Sequence, residues 1–528
     1  MTEYVISGIS LSLESTADEA IHAAAKKLRR AGINARQLSL YRRSVDARNK
    51  NDIKLVYAVR FATEGTLKKE VAQKFSLQTV ASDKLDIKKG SEPLAGRPCV
   101  IGMGPCGLFA ALLLAENGYR PVVLERGGDV KSRVRAVEDF YKSGVLDENC
   151  NIQFGAGGAG TFSDGKLVTR ITDSRCAYVL KKLYEFGAPK EILTAAKPHI
   201  GTDILRRVVD NIAMRICECG GEIMYNTSFL RFGEAKGGAR RLITSRGDIF
   251  ASVTVLAIGH SARDTYEMLL ERGTHIEAKD FSVGFRIEHL KRDIDEALYG
   301  KFAGHSALPY AEYNLSYNTK SRGVYTFCMC PGGEVVAGAS EQGALCVNGM
   351  SNYARNGVNS NSAVCVSVFR NDYGGTAREA IEFQRKLERA AFAAGGGDYF
   401  APVSSVGRFL GTSKECGKVV PTYMGGRVKE ADLTALLPSE LCGTLCAGLV
   451  DFGRKIKGFD SPSAMLTGLE TRTSAPLRIL RGEELTMLSE GDIYPGGEGA
   501  GYAGGITSAA VDGIRIAEKI ISRFKPIE

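Results

Sequence analysis

The chain has 528 residues, 44% hydrophobic and 24% charged, an ordinary globular composition that is long enough for two or three separately cored domains. No stretch approaches the roughly 18 apolar residues a membrane helix needs, and the start, MTEYVISGISLSLEST, lacks a basic n-region, so no membrane association and no secretory signal are expected. The 13 Cys include no C-x-x-C, and neither C-x-C pair has a second pair or nearby His; this excludes a zinc site and a disulfide scaffold and suits a reduced, cytoplasmic protein.

In chain order, EYVISGIS predicts a strand and DEAIHAAAKKLRRA an amphipathic helix stopped at Gly32. Two strands follow around the polar turn at Asn49–Asp52, then a short helix (TLKKEVAQKF) and a closing strand (LQTVA). The order β-α-β-β-α-β is that of a ferredoxin-like α+β domain, here residues 1–93. This segment holds 17 Lys and Arg against 11 Asp and Glu, so six of the net nine positive charges lie here. A solvated basic face explains that skew more simply than nucleic-acid contact. DIKKGSEPLAGRP reads as a linker.

From Pro98 the pattern becomes strand, glycine turn, helix and strand (PCVIGMG, LFAALLLAENG, PVVLERG), a βαβ start. Gly102, Gly104 and Gly107 spell G-x-G-x-x-G, with Pro105 at the helix start, and Glu125 with Arg126 closes the next strand. Gly102 permits the turn, Gly104 lets backbone approach a pyrophosphate, and Gly107 lets helix and strand pack. The helix N-terminus offers free N–H groups to the phosphates, and Glu125 accepts from a ribose diol. Ala111, Leu114 and Gly118 extend the match. NIQFGAGGAGTFSDGK repeats the spacing at Gly155, Gly157 and Gly160. It has no apolar strand before it, no apolar helix after it and no acidic residue on a further strand. It is therefore no second dinucleotide domain; Gly157, Gly158, Ala159, Gly160 and Thr161 are expected to lie against the first domain's ligand.

Further on come a helix at 203–220 and a three-stranded meander ending in the buried strand of VTVLAIGH, with Ala257 and Gly259 at its turn. Residues 280–440 read as strands with one clear helix at 376–394. From Leu441 the chain is expected to return to strands and to close with the helix ITSAAVDGIRIAEKIISRF. Ahead of that helix, IYPGGEGAGYAGGI carries Gly497, Glu498, Gly504, Gly505 and Ile506. A nucleotide-binding half that returns this late matches the two-part FAD domain of glutathione-reductase-like flavoproteins. There Glu498 would hold the ribityl chain, and the following helix N-terminus would stabilise negative charge on the flavin. Asp492 precedes the strand and sits too early.

With SVDAR (44–48), VYTFCMCPGGEVV, SNYARNG and GLETRTSAPLRI, these segments carry a resemblance nearly end to end. The chain resembles the bacterial FAD-dependent dehydrogenases often labelled NAD(FAD)-utilising dehydrogenases. Ala156 departs from it, standing where the pattern FGEGGAG has Glu. The resemblance implies an α/β fold: a Rossmann-like FAD domain (94–279 and 441–528), an inserted mixed α+β substrate domain (280–440) and the ferredoxin-like domain in front. It implies an FAD-dependent oxidoreductase, a bacterial flavoprotein, and supplies no substrate beyond a small molecule. Without a second Rossmann unit, NAD(P)H would bind only transiently beside the flavin.

Catalytic candidates are few. Cys328 and Cys330 would share one face of a strand, but small buried side chains beside a turn is the favoured reading, since no Lys, Arg or His adjoins them in sequence. Arg472 and Arg478 would clamp an acidic substrate or serve structural ion pairs. His260, Arg263, His305 and Tyr313 are weaker candidates. H-E-x-x-H, Walker A and G-x-S-x-G motifs are absent. Two alternatives remain: an RNA-acting flavoprotein using the basic N-terminal domain, and a non-catalytic flavin-bound redox sensor.

Overall fold

The first module of the structure, a computed structural model that describes residues 1–80, 84–413 and 419–527, has the predicted order of elements. Strand Thr2–Leu11, helix Ala17–Arg30, strands Arg36–Asp46 and Lys54–Thr63, helix Lys69–Lys74 and strand Gln78–Thr79 follow one another. The expected closing strand is thus shorter, and its Ala81 lies outside the described residues. The strands lie second, third, first, fourth across an antiparallel sheet. Thr16 and Glu19 form a capping box at the first helix, whose Ala20, Ala24 and Leu28, one turn apart, face the sheet's core.

The edge strand of this sheet is not left open. Arg43 donates its N–H to Thr194 O (2.8 Å) and accepts from Ala196 N (2.9 Å), while its guanidinium reaches Ala307 O at 2.5 Å. Pairing thereby blunts an edge that would otherwise template aggregation. Residues 86–98 are not a free linker. Gly90 N donates to Ile521 O, and Glu92 exchanges bonds with Arg523 O and Lys525 N. A Cβ on Gly90 would sit 2.2 Å from the Arg523 carbonyl carbon, so glycine is what allows this strap to lie on the C-terminal helix.

The second sheet has five parallel strands, in the spatial order Ile493–Pro495, Thr254–Leu256, Cys99–Ile101, Val122–Leu124 and Glu222–Met224. The first four are fully buried, as a parallel sheet covered on both faces requires. Helix Pro105–Glu116 packs so closely on the closing helix Ile506–Arg523 that a Cβ on Gly513 would lie 2.0 Å from Cys106 O. The meander Phe229–Lys236, Ala239–Thr244 and Gly247–Ala251 forms its own three-stranded sheet.

The third sheet has seven strands, ordered Ser316–Asn318, Gly323–Cys330, Asn359–Val368, Phe281–Leu290, Met465–Glu470, Ala401–Ser405 and Val428–Glu430. This moves the boundary expected at 440. The segment after it begins with a helix, Ser439–Lys455, not strands, and Met465–Glu470 pairs with Phe281–Leu290 inside this sheet. LCGTLCAGLVDFG buries Leu441, Cys442, Leu445, Gly448, Leu449 and Phe452 at helical spacing. Its small residues, which suggest strands and turns in the sequence, serve close approach: a Cβ on Gly448 would meet Val324 Cγ1 at 2.5 Å. Among the described residues no helix is long and apolar enough to cross a membrane.

The turn after Gly118 depends on one buried hydroxyl. Tyr119 is fully buried, and its OH donates to Phe524 O (2.6 Å) and Ile521 O (3.2 Å) at the end of the closing helix. Tyr119→Phe leaves Phe524 O without its donor, while Ile521 O keeps Gly90 N, at a cost of about 1–2 kcal/mol, read as a lower denaturant midpoint with an unchanged m-value.

Candidate functional site

Because the five strands run parallel, their carboxyl ends share one edge, where ligands of open α/β sheets bind. Three chain segments turn there side by side: Gly102–Gly107 after Cys99–Ile101, Ala257–Gly259 after Thr254–Leu256, and Gly496–Gly505 after Ile493–Pro495. The approach is close enough to forbid side chains. A Cβ on Gly102, whose φ is +94°, would lie 2.4 Å from Ala257 O, and one on Gly107 would lie 1.9 Å from Gly102 O. A Cβ on Gly499 would meet Gly259 O at 2.5 Å.

The second glycine-rich segment joins the same place. Gly157 N donates to Met103 O at 3.0 Å, and a Cβ on Gly158 would sit 2.8 Å from Gly104 Cα. Ala159–Phe162 is a turn of 3₁₀ helix. Gly160 approaches Pro105 and Ile506, and the buried Thr161 donates its hydroxyl to Ala156 O (3.2 Å). A small apolar cavity at this junction is lined by Pro105, Leu108, Gly157, Gly160, Val209 and Ile506.

Two charged side chains, one of them missed in the sequence, build the segment. Arg133, on helix Val130–Ser143, is fully buried and donates to five carbonyls: Asn151, Ile152, Gly155, Ala156 and Gly158. Burial lowers its pKa to about 10, opposed by Glu125, so it stays charged at neutral pH. Glu125 takes the N–H groups of the same loops. Its Oε2 accepts from Met103 N (2.9 Å), and Oε1 accepts from Gly127 N (3.0 Å) and Gly155 N (2.9 Å). Of roughly four acceptor positions on a carboxylate, three are thus occupied within the chain. Arg126 pairs with Asp264 (2.8 Å) and stacks on Phe154 at 4.4 Å.

Opposite them, Glu498 is half-buried, and its carboxylate has no hydrogen bond or ion pair among the described residues. The turn before it is fixed by Asp512, which accepts from Gly497 N (2.8 Å) and pairs with Arg481 (2.7 Å). Gly504 and Gly505 are exposed ahead of Ile506, and no side chain caps that helix. Helix Pro105–Glu116 likewise starts at Gly104 with no side-chain cap. Two helix N-termini and a partnerless carboxylate therefore border the glycine cradle. Asp492 is excluded, since both its oxygens pair with Arg240.

Comparison with known proteins gives the lineage. A protein of Clostridium beijerinckii named only as an uncharacterized protein is 45% identical over 527 residues, which cover 98% of each chain. The chain belongs to that protein's family. Within it, residues 280–473 match the family model "FAD-dependent protein, C-terminal domain-like", a span that coincides with the seven-stranded sheet from Phe281 to Glu470. Residues 4–62 match a domain family of unknown function, DUF8436. Among solved structures, glycine oxidase from Geobacillus kaustophilus is 9% identical, with 82% of this chain and 96% of that chain covered at a TM-score of 0.37. An L-amino acid deaminase from Proteus vulgaris is 10% identical, with 84% and 94% covered at a TM-score of 0.35. Likeness at that level says nothing about substrate.

The family's sheet also decides the catalytic candidates. Arg472 is no substrate clamp. It is buried and forms a two-point pair with Glu388 (Nε–Oε1 3.0 Å, Nη2–Oε2 2.8 Å), and its Nη1 donates to Ser340 and Ser261 hydroxyls. Arg263 grips the same carboxylate through two 2.8 Å bonds. Glu388 is buried, which by itself would raise its pKa, yet Arg263 and Arg472 hold it far below the carboxylate range. Arg478 is exposed and donates to Gly501 O. His260 bonds Arg472 O (2.9 Å), His305 pairs with Glu14, and Tyr313 OH meets Ser362 Oγ. For Cys328 and Cys330 the sequence-based expectation of no activating cation fails: Arg286 Nη2 lies 3.4 Å from Cys330 Sγ, and the Lys166 ammonium binds Met329 O between the two.

Two variants test the framework. Arg133→Lys keeps the charge but has three donors for five carbonyls. It should cost about 2–4 kcal/mol and speed amide hydrogen exchange over residues 155–158. Glu388→Gln leaves the buried Arg472 without its counter-charge and Arg263 with Glu341 alone, and should cost about 3–5 kcal/mol in denaturant unfolding. The pKa of Glu388 is lowered on folding, so its contribution is present above the unfolded-state value and is lost as pH falls through the folded one. The penalty of the substitution should therefore shrink in acid.

Proposed function

We propose that this chain is an FAD-dependent oxidoreductase acting on a small organic molecule. The supporting observation is the convergence of four glycine-bearing turns at the carboxyl ends of parallel strands, where backbone replaces side chains and two uncapped helix N-termini meet. In this reading the Rossmann-like FAD half comprises 94–279 and 474–528, the inserted half carries the substrate, and a ferredoxin-like module of 1–93 stands in front.

The residues present suit a dinucleotide with a flavin end. Gly102, Gly104 and Gly107 form a cradle a Cβ would fill, and the N-terminus of Pro105–Glu116 directs N–H groups and a positive dipole end toward a pyrophosphate. Glu125 retains one acceptor position for ribose. Glu498, half-buried with no hydrogen-bond or ion-pair partner among the described residues, suits hydroxyls of the ribityl segment. The N-terminus of Ile506–Arg523 suits the pyrimidine edge of the ring, because its dipole favours negative charge there. FAD, when bound, supplies two-electron hydride chemistry. The chain binds and orients it, and the apolar lining from Pro105, Leu108, Val209 and Ile506 keeps water away. The described residues build a single parallel sheet with such a cradle, so a nicotinamide donor would have to act from the flavin's open side without a domain of its own.

The test is the absorbance spectrum of the purified full-length protein, before and after added FAD and then anaerobic NADH or NADPH. The wild type should hold flavin. Gly158→Val, which drives a side chain into Gly104, should lose it. Glu498→Ala should weaken FAD binding by about 10- to 100-fold, the worth of a charge-assisted hydrogen bond. Bleaching by one nucleotide would name the donor. A wild type without flavin bands even in excess FAD overturns the reading.

A further inference from the structure

Cys328 and Cys330 do not sit as an ordinary strand would place them. Cys328 has φ of 45°, and the pairing of Gly323–Cys330 with Asn359–Val368 slips between Phe327 and Cys330. Such a bulge re-aims side chains. Here it brings the Cys330 thiol back onto its neighbour's backbone, so that Cys330 Sγ donates to Cys328 O at 3.3 Å. Both are free thiols, Cys330 buried and Cys328 half-buried beside the exposed Phe327.

Their surroundings are polar and cationic. Arg286 is fully buried; its Nη2 is 2.5 Å from Cys328 O and 3.4 Å from Cys330 Sγ, and its Nη1 pairs with Glu470 at 2.8 Å. Lys166 approaches from the glycine-rich segment. Glu470 and Asp164 are the opposing charges that face the pair. Asn361 stands opposite Cys330 in the ladder and is fully buried. Its Oδ1 accepts from Arg286 Nε (2.7 Å), while its Nδ2 donor has no partner. An unmade buried bond costs about 1–3 kcal/mol, and here it leaves a donor free for a ligand beside the thiols. Cys99, in apolar core, has its pKa pushed up to about 12 by burial. Cys328 is instead held below the usual thiol range, first by the adjacent Cys330 thiol and then, against burial, by Arg286 and Lys166.

We propose that Cys328 and Cys330 are a redox-active dithiol that exchanges with low-molecular-weight disulfides, with Cys328 attacking and Cys330 resolving. The Cys328 thiolate attacks one sulfur of the disulfide; that S–S bond breaks, a mixed disulfide forms and one thiolate leaves. The departing thiolate takes the Cys330 proton, Cys330 attacks Cys328 Sγ, and the second small thiolate leaves. The two protein thiols are oxidised to one disulfide, and one small disulfide is reduced to two thiols. This goes beyond the FAD reading and stands without it.

The experiment uses the reduced full-length protein, incubated with oxidised glutathione, quenched with N-ethylmaleimide and mapped by mass spectrometry on the tryptic peptide Gly323–Arg355. The wild-type peptide should lose two hydrogens while Cys346 remains alkylated. Cys330→Ser should trap a glutathione adduct on Cys328, and Cys328→Ser should yield neither product. In the unmodified wild type, the rate of Cys328 alkylation by iodoacetamide should rise with a midpoint well below that of the exposed Cys217. No disulfide, with a Cys328 midpoint matching that of Cys217, overturns the proposal, and a glutathione adduct trapped on Cys330 in Cys328→Ser overturns the assigned roles. Flavin content read on the same sample separates either failure from failure of the FAD reading.

Discussion

The guanidinium of Arg133 gathers the carbonyls of a loop that has almost no regular structure of its own. Five backbone carbonyls between Asn151 and Gly158 turn inward onto it, while the N–H of Gly155, whose carbonyl is one of the five, points at Glu125. Peptide dipoles thus lie between a buried cation and a buried anion, and the segment needs no strand or helix of its own. Arg133 also stacks on Phe162 at 4.8 Å, so the loop's far end closes over the charge that organises it. Because the same Glu125 receives Met103 N, the second glycine-rich segment is fastened directly to the first.

The same device recurs between the two larger sheets. Glu388, from helix Ala377–Ala394, is gripped by Arg263, at the start of helix Arg263–Glu271, and by Arg472 from just beyond Met465–Glu470. A charge buried this deeply is tolerable only with such pairing. Ser261 extends the network to Gln153, whose amide donates to Gly338 O. The glycine cradle and the seven-stranded sheet are thus linked by polar contacts of fixed geometry.

On that sheet the thiol pair, Arg286, Glu470 and Asn361 form a polar island within apolar packing. The largest contiguous core runs through this same sheet, including Phe285, Ile287, Val324, Val364 and Val366. Alternation along Phe281–Leu290 sends Phe285 and Ile287 into that core, with Arg286 on the opposite face. The bulge at Cys328 brings that residue's carbonyl and the Cys330 thiol to the guanidinium on that face.

Local signals carried the element order of the first module, the βαβ start with its glycines, and the closing helix. In each, period, cap and turn residues agree: the Thr16 capping box, the apolar run of CVI into Gly102, and Gly505 before Ile506 are all local chemistry. Other features were decided by chain segments far apart in sequence. The helix Ser439–Lys455 looks strand-like until the sheet beneath it demands small residues at contact. Arg472 reads as a free clamp until Glu388 and Arg263, from 84 and about 200 residues away, close around it. No motif marks Arg133 in the sequence, and Lys166 and Arg286 lie far from CMC in the chain. Periodicity and turn chemistry report only what a residue's near neighbours impose. Burial of a charge and the pKa of a thiol are set by whatever the fold brings within a few ångströms, which only the tertiary structure decides.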